Sequence, residues 1–108
     1  MRSTVENRID MAIEQELLRA NELHPPFVDM HHAFAVMLEE YEEAMLEVEA
    51  IESLMESYWE ATKKDDFVIG EKIAREMIGI MQRCLTELVQ LAAMVQKTLA
   101  MHNETNKG

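Results

Sequence analysis

The sequence predicts an all-α fold, a long antiparallel helical hairpin preceded by a short N-terminal helix and assembled into a four-helix-bundle-type homo-oligomer. Three observations carry this expectation. Of 108 residues, 48% are apolar, yet only three are Gly and two are Pro, a composition suited to long regular elements rather than to a turn-rich β fold. Apolar residues recur at helical spacing through most of the chain. The strong interruptions are two, His24-Pro25-Pro26 and Lys63-Lys64-Asp65-Asp66. A chain of this length supports one core, so residues 1–108 are expected to form one domain. Within it, 1–24 is the N-terminal helix, 27–102 the hairpin and 103–108 a polar tail.

The first helix is expected from about Thr4 to Leu23. Ser3 and Glu6 have the spacing of a capping box, in which each side chain satisfies a free backbone N–H of the other. Val5, Ile9, Ala12, Ile13, Leu17 and Ala20 form one apolar stripe. Pro25 and Pro26 end it, because proline has no N–H and restricts the residue before it. The second helix is expected from about Asp29, as N-cap, to Thr62. Its apolar positions keep a seven-residue rhythm, with Phe34, Tyr41, Val48 and Met55 in one row and Met37, Ala44, Ile51 and Tyr58 in another. Lys63 and Lys64 suit a helix C-terminus, and Asp65 and Asp66 the next N-terminus, as the macrodipole favours. The third helix is expected from about Phe67 to His102. Ile73, Met77, Ile80, Cys84, Leu88, Leu91 and Val95 form its main stripe, and Met81, Leu85, Ala92 and Leu99 widen it.

These lengths call for a partner. A helix of about 34 residues is roughly 50 Å long, whereas a compact chain of this size would be nearer 26 Å across, from a radius of gyration of about 13 Å. One short extra helix cannot cover the broad apolar face of the third. A homo-dimer or homo-tetramer with a four-helix core is therefore expected.

Composition also excludes. A net charge of −11 repels phosphate backbones, so nucleic acid is not an expected partner. The longest unbroken apolar run is six residues, Ala33 to Leu38, and no membrane span is expected from it. The opening stretch MRSTVENRID lacks the apolar core of a signal peptide. A lone Cys84 fits a reducing compartment, and a cytoplasmic location is expected. Cys84 lies on the core stripe without a charged activator and reads as a small buried hydrophobe.

The stretch AVMLEEYEEA, residues 35–44, places four carboxylates in five positions. On a helix Glu39 and Glu43 are neighbours, as are Glu40 and Glu43, and like charges so spaced repel. From Asn21 to Thr62 there are ten Glu and one Asp and no Lys or Arg, so no base relieves them locally. A solvated flank accounts for Glu47, Glu49, Glu52, Glu56 and Glu60. If the turn centres on Asp65, Glu43 stands level with Glu87, and Glu40 with Gln90. Glu87 is the one acid between Glu76 and Glu104, set among apolar neighbours in CLTELVQLAAMV. Desolvating a carboxylate costs several kcal/mol unless it is paired. A divalent cation held between the two facing helices would pair it, and Mg²⁺ commonly takes one or two carboxylates, keeps waters and bridges to phosphates.

The stretches HHAFAVMLEEYEEAMLEVEAIE and TELVQLAAMVQKTLA resemble the MazG-like proteins of the all-α nucleoside triphosphate pyrophosphatase superfamily, especially short phage and bacterial members. The resemblance covers roughly Pro26 to Met101. The family's EExxE motif maps onto Glu39, Glu40 and Glu43. Its ExxD motif maps onto Glu87, with Gln90 at the aspartate position. The resemblance implies a site for Mg²⁺, with Mn²⁺ an alternative occupant, formed by Glu39, Glu40, Glu43, Glu87 and Gln90. It implies hydrolysis of a nucleoside triphosphate to the monophosphate and pyrophosphate, with Glu40 and Glu43 as the catalytic carboxylates and a nucleotide or other phosphorylated small molecule as ligand. Gln90 supplies a neutral oxygen where the family has a charge, and the linker between the motifs is longer than usual.

His31 is a candidate substrate-edge residue near a helix start, and Lys97 a candidate phosphate contact. Adjacent His31 and His32 point about 100° apart on a helix, so they cannot share one metal. Arg75, Arg83 and Lys97 equally serve to balance the acidic second helix. Tyr58 and Trp59 are expected to close the bundle tip. Two functions follow, a nucleotide pyrophosphohydrolase or a non-catalytic helical assembly or interaction protein. Facing glutamates favour the first, and Gln90 favours the second.

Overall fold

The computed structural model describes residues 1–107, all-helical in three elements: α1 (Thr4–Leu23), α2 (Met30–Lys63) and α3 (Phe67–Lys107). The caps explain the starts. Ser3 Oγ accepts from the Glu6 N–H at 3.1 Å and Glu6 Oε1 from the Ser3 N–H at 3.4 Å, which closes the box. Asp29 Oδ1 accepts from the His32 N–H at 2.9 Å, and Asp66 Oδ1 accepts from the Ile69 N–H at 3.1 Å. Between α2 and α3 the chain turns through Asp65, held at φ 51°, a left-handed conformation that Asp tolerates better than most residues. The end of α3 departs from expectation. It continues past His102 to Lys107, so most of the expected tail is helical, and Gly108 lies outside the described residues.

α2 and α3 pack along each other, and α1 packs on α3. The α2–α3 contact is antiparallel. The Gly70 backbone sits against the Tyr58 ring, Arg83 reaches Glu47 at 3.8 Å, and Thr98 meets Met37 Sδ at 3.5 Å. Small residues set the spacing, since Ala33, Ala44 and Ala61 are the buried positions of α2. Facing them, Ile80, Cys84 and Met94 of α3 are buried. A second cluster joins the three helices where α1 ends. There Ala20, Phe27, Ala33, Ala93 and Met94 pack with Ile13, Leu17, Val36 and Met37 around them. The first turns of α1 are uncovered, and Val5 and Ile9, expected on its apolar stripe, are exposed.

The molecule is a rod. Its extents are 64 × 33 × 24 Å and its radius of gyration is 18.4 Å, against about 13 Å for a compact chain of this length. Of the Met37/Ala44/Ile51/Tyr58 row of α2 the first three are buried or half-buried and Tyr58 is exposed, whereas the Phe34/Tyr41/Val48/Met55 row is exposed along its whole length. By length and composition α3 is apolar enough to cross a membrane, yet little of that stretch is buried. The open faces of this rod are what a monomeric core would have to cover.

Two substitutions test the packing. Ala93 is fully buried (0% exposed), so Ala93→Leu is expected to lower urea-unfolding stability by about 1–3 kcal/mol through overpacking. A Cβ at Gly79 meets nothing within 4 Å, so Gly79→Ala is expected to raise stability by about 1 kcal/mol at the same protein concentration.

Candidate functional site

Register along the hairpin brings one acid of α3 to two of α2. Carboxylate oxygens of Glu40, Glu43 and Glu87 lie within 4.8 Å of one another. Glu43 is exposed, while Glu40 and Glu87 are half-buried. One oxygen of each half-buried side chain, Glu40 Oε2 and Glu87 Oε2, is buried with no hydrogen-bond partner. Buried carboxylate oxygens without a donor are costly, because the water they leave is not replaced. Among the described residues no Lys or Arg forms an ion pair with Glu39, Glu40, Glu43 or Glu87. The acids of α2 that do find a base are Glu60, with Lys63 at 2.8 Å, and Glu47, with Arg83 at 3.8 Å.

Both half-buried acids hold their protons more tightly than ordinary carboxyls. For Glu40, burial is the largest cause, followed by the charges of Glu43, Glu87, Glu39 and Glu16. For Glu87, burial again leads, then a carboxyl–carboxyl hydrogen bond with Glu43 and the charges of Glu43 and Glu47. Each cause penalises the ionised form.

Glu39 and Gln90, expected in the same ligand set, stand to one side of the three-carboxylate group. With Glu40 they line a cleft of about 510 Å³ between the end of α1, the segment 24–29, and the facing parts of α2 and α3. Glu40 therefore belongs to both cluster and cleft. The same cleft is lined by Arg19 of α1, His32 of α2 and Lys97 of α3. Lys97 is 6% exposed, and its ammonium lies 4.8 Å from the centre of the Phe27 ring. Burial lowers its pKa, and the ring face supplies part of the lost hydration.

His31, the histidine favoured from sequence, is exposed and does not line the cleft. His32 does. Its Nδ1 accepts from the Val28 N–H at 3.1 Å, which leaves the proton of the neutral ring on Nε2. Its ring packs edge-on against Phe27 at 5.0 Å. Sequence reasoning also missed Glu16, Arg19 and Phe27, which reach the site from α1 and the connection after it. Arg19 pairs with Glu16 at 2.6 Å. Of the cations proposed to balance α2, Arg83 does so and Arg75 pairs within α3 with Glu71.

The group can accept a cation through oxygen, and the cleft beside it carries both signs of charge, Arg19 and Lys97 together with Glu16, Glu39 and Glu40. The three oxygens lie within 4.8 Å of one another, against about 4.2 Å between opposite ligands of Mg²⁺. No family model, curated protein or solved structure matches the chain.

The raised pKa values fix a sign. Because the folded state binds these protons more tightly than the unfolded chain, metal-free stability falls as pH rises from the ordinary carboxylate range toward the folded values, and the loss is complete above them. Thermal melts in chelator are therefore expected to show a higher Tm when pH is lowered from neutrality toward that range. Glu87→Gln is expected to raise the metal-free Tm at neutral pH and flatten this dependence; an unchanged profile would show that the cluster does not govern it.

Proposed function

We propose that this chain is a Mg²⁺-dependent nucleoside triphosphate pyrophosphohydrolase of the MazG-like type, releasing the monophosphate and pyrophosphate. The observation that carries the reading is the pair of buried, unpartnered oxygens, Glu40 Oε2 and Glu87 Oε2, in one three-carboxylate group with Glu43. Several kcal/mol of desolvation oppose such an arrangement unless a proton or a cation compensates it, and among the described residues no Lys or Arg pairs with these acids. Glu40, Glu43 and Glu87 would hold the ion, with Glu39 and the neutral oxygen of Gln90 available from the cleft. A bound Mg²⁺ neutralises phosphate charge and lowers the pKa of a coordinated water.

The chain's own groups do the rest. Lys97, Arg19 and the Nε2–H of His32, which line the same cleft, would offer donors to phosphate oxygens. Phe27, Val36 and Met94 would give the cleft an apolar floor. Glu40, which lines the cleft, and Glu43 would orient an attacking water and take its proton, and Glu40's raised affinity for protons supports that role. In this reading the protein acts as a homo-oligomer in the cytoplasm.

A specific observation favours a second reading. Gln90 removes one negative charge from the donor set, and long apolar rows are left open on both helices of the hairpin. A non-catalytic assembly protein would need those rows and no metal.

Melting temperature and product release separate the two. Under the enzymatic reading, Mg²⁺ or Mn²⁺ raises the Tm, with stabilisation of about 2.7 kcal/mol at a hundredfold excess over Kd. Glu43→Gln with Glu87→Gln abolishes that rise, and a screen of nucleoside triphosphates detects metal-dependent pyrophosphate release that the double variant lacks. No metal-dependent rise and no turnover would leave the assembly reading alone.

A further inference from the structure

A second cavity meets the carboxylate cleft at Lys97. It also measures about 510 Å³, and it lies between the later turns of α1, the segment 24–29 and the later turns of α3, with Leu17, Pro26, Val28 and Met101 in its lining. Lys97 and Phe27 line both cavities. A volume of this order, with mostly apolar walls and a few polar groups, is that of a small-molecule site. Part of its hydrocarbon is uncovered. Val28 is 82% exposed, and Leu17 and Met101 are half-buried.

Lys97 supplies the strong polar feature of this lining. It is buried, and its ammonium lies over the Phe27 ring. Among the described residues no carboxylate forms an ion pair with it. A buried ammonium without a counter-charge carries a desolvation cost that an anion relieves. Burial lowers its pKa, which is the same cost seen as a proton affinity.

Charge decides which side the anion takes. The inner cleft sets Glu16, Glu39 and Glu40 against Lys97 and Arg19, and Arg19 is already paired with Glu16. The outer cavity has Glu104 as the one carboxylate of its lining, at an exposed position. Without a metal, an anion is repelled less outside than inside. A single ammonium suits a single negative charge, and the walls of Leu17, Pro26, Val28 and Met101 suit an alkyl chain rather than a sugar or a phosphate.

We propose that the outer cavity binds an aliphatic monocarboxylate, its head paired with the Lys97 ammonium and its chain laid against Leu17, Pro26, Val28 and Met101. The site stands apart from the metal reading, because none of Glu40, Glu43 and Glu87 lines it.

Octanoate is the probe, with octan-1-ol as its uncharged counterpart. Calorimetric titration of the full chain is expected to show saturable binding of one octanoate per chain. The alcohol is expected to bind about tenfold more weakly or worse, as the loss of a hydrogen bond between charged groups implies. Lys97→Met is expected to weaken octanoate binding by a similar factor. Methyl resonances of Leu17, Val28 and Met101 are expected to shift on titration more than those of Leu85 and Leu88, which lie away from the cavity on α3. Glu43→Gln with Glu87→Gln is expected to bind octanoate as the wild type does, whatever becomes of its response to Mg²⁺. If Lys97→Met fails to fold, the comparison of acid with alcohol on the wild type decides. Equal affinity for the alcohol, undiminished binding by a folded Lys97→Met, shifts centred on Leu85 and Leu88, or no binding at millimolar octanoate would each overturn the proposal.

Discussion

The close approach of α2 to α3 along a line of small side chains governs the molecule. Ala33, Ala44 and Ala61 are the buried residues of α2, and each lets the backbone of α3 come near without displacing a larger neighbour. The turn at Asp65 then fixes which residues stand level. A shift of one residue would carry Glu87 away from Glu43 and turn the buried row toward solvent. The acidic group is therefore a product of register before it is a product of chemistry.

Charge and desolvation pull against that register. Ten glutamates and one aspartate lie between Asn21 and Thr62 without a lysine or arginine, and most remain hydrated on the rod's surface at little cost. Glu40 and Glu87 do not, because the packing that aligns the helices also removes water from one oxygen of each. The energy lost there is small compared with the burial gained along two long helices. It is nevertheless local, and it can be relieved by protonation or by an external cation. Lys97 shows the same tension with opposite sign, its ammonium sheltered against Phe27 rather than paired.

Much of this was legible in the sequence because it depends on local rules. The capping box at Ser3 and Glu6, the N-cap at Asp29 and the break at Asp65 are set by side chains a few residues from the backbone groups they serve. The levelling of Glu43 with Glu87 needed only a turn position and constant helical rise. What could not be read depends on how a third element comes back. His31 and His32 are equivalent by composition, and only the Val28 N–H and the Phe27 ring select His32. Glu16 and Arg19 looked like ordinary surface of an amphipathic helix until α1 folded along α3. The heptad rows were visible, but periodicity alone does not say which row meets the neighbouring helix and which stays open.

The attachment of α1 has a further meaning. It packs on α3 and is joined to α2 through Pro25 and Pro26, while α2 and α3 hold each other along most of their length. The two walls of the cleft thus differ in how firmly they are anchored, and lifting α1 takes less free energy than parting the hairpin. The acidic group therefore depends on the hairpin for its shape, and on α1 only for the far side of the cleft beside it.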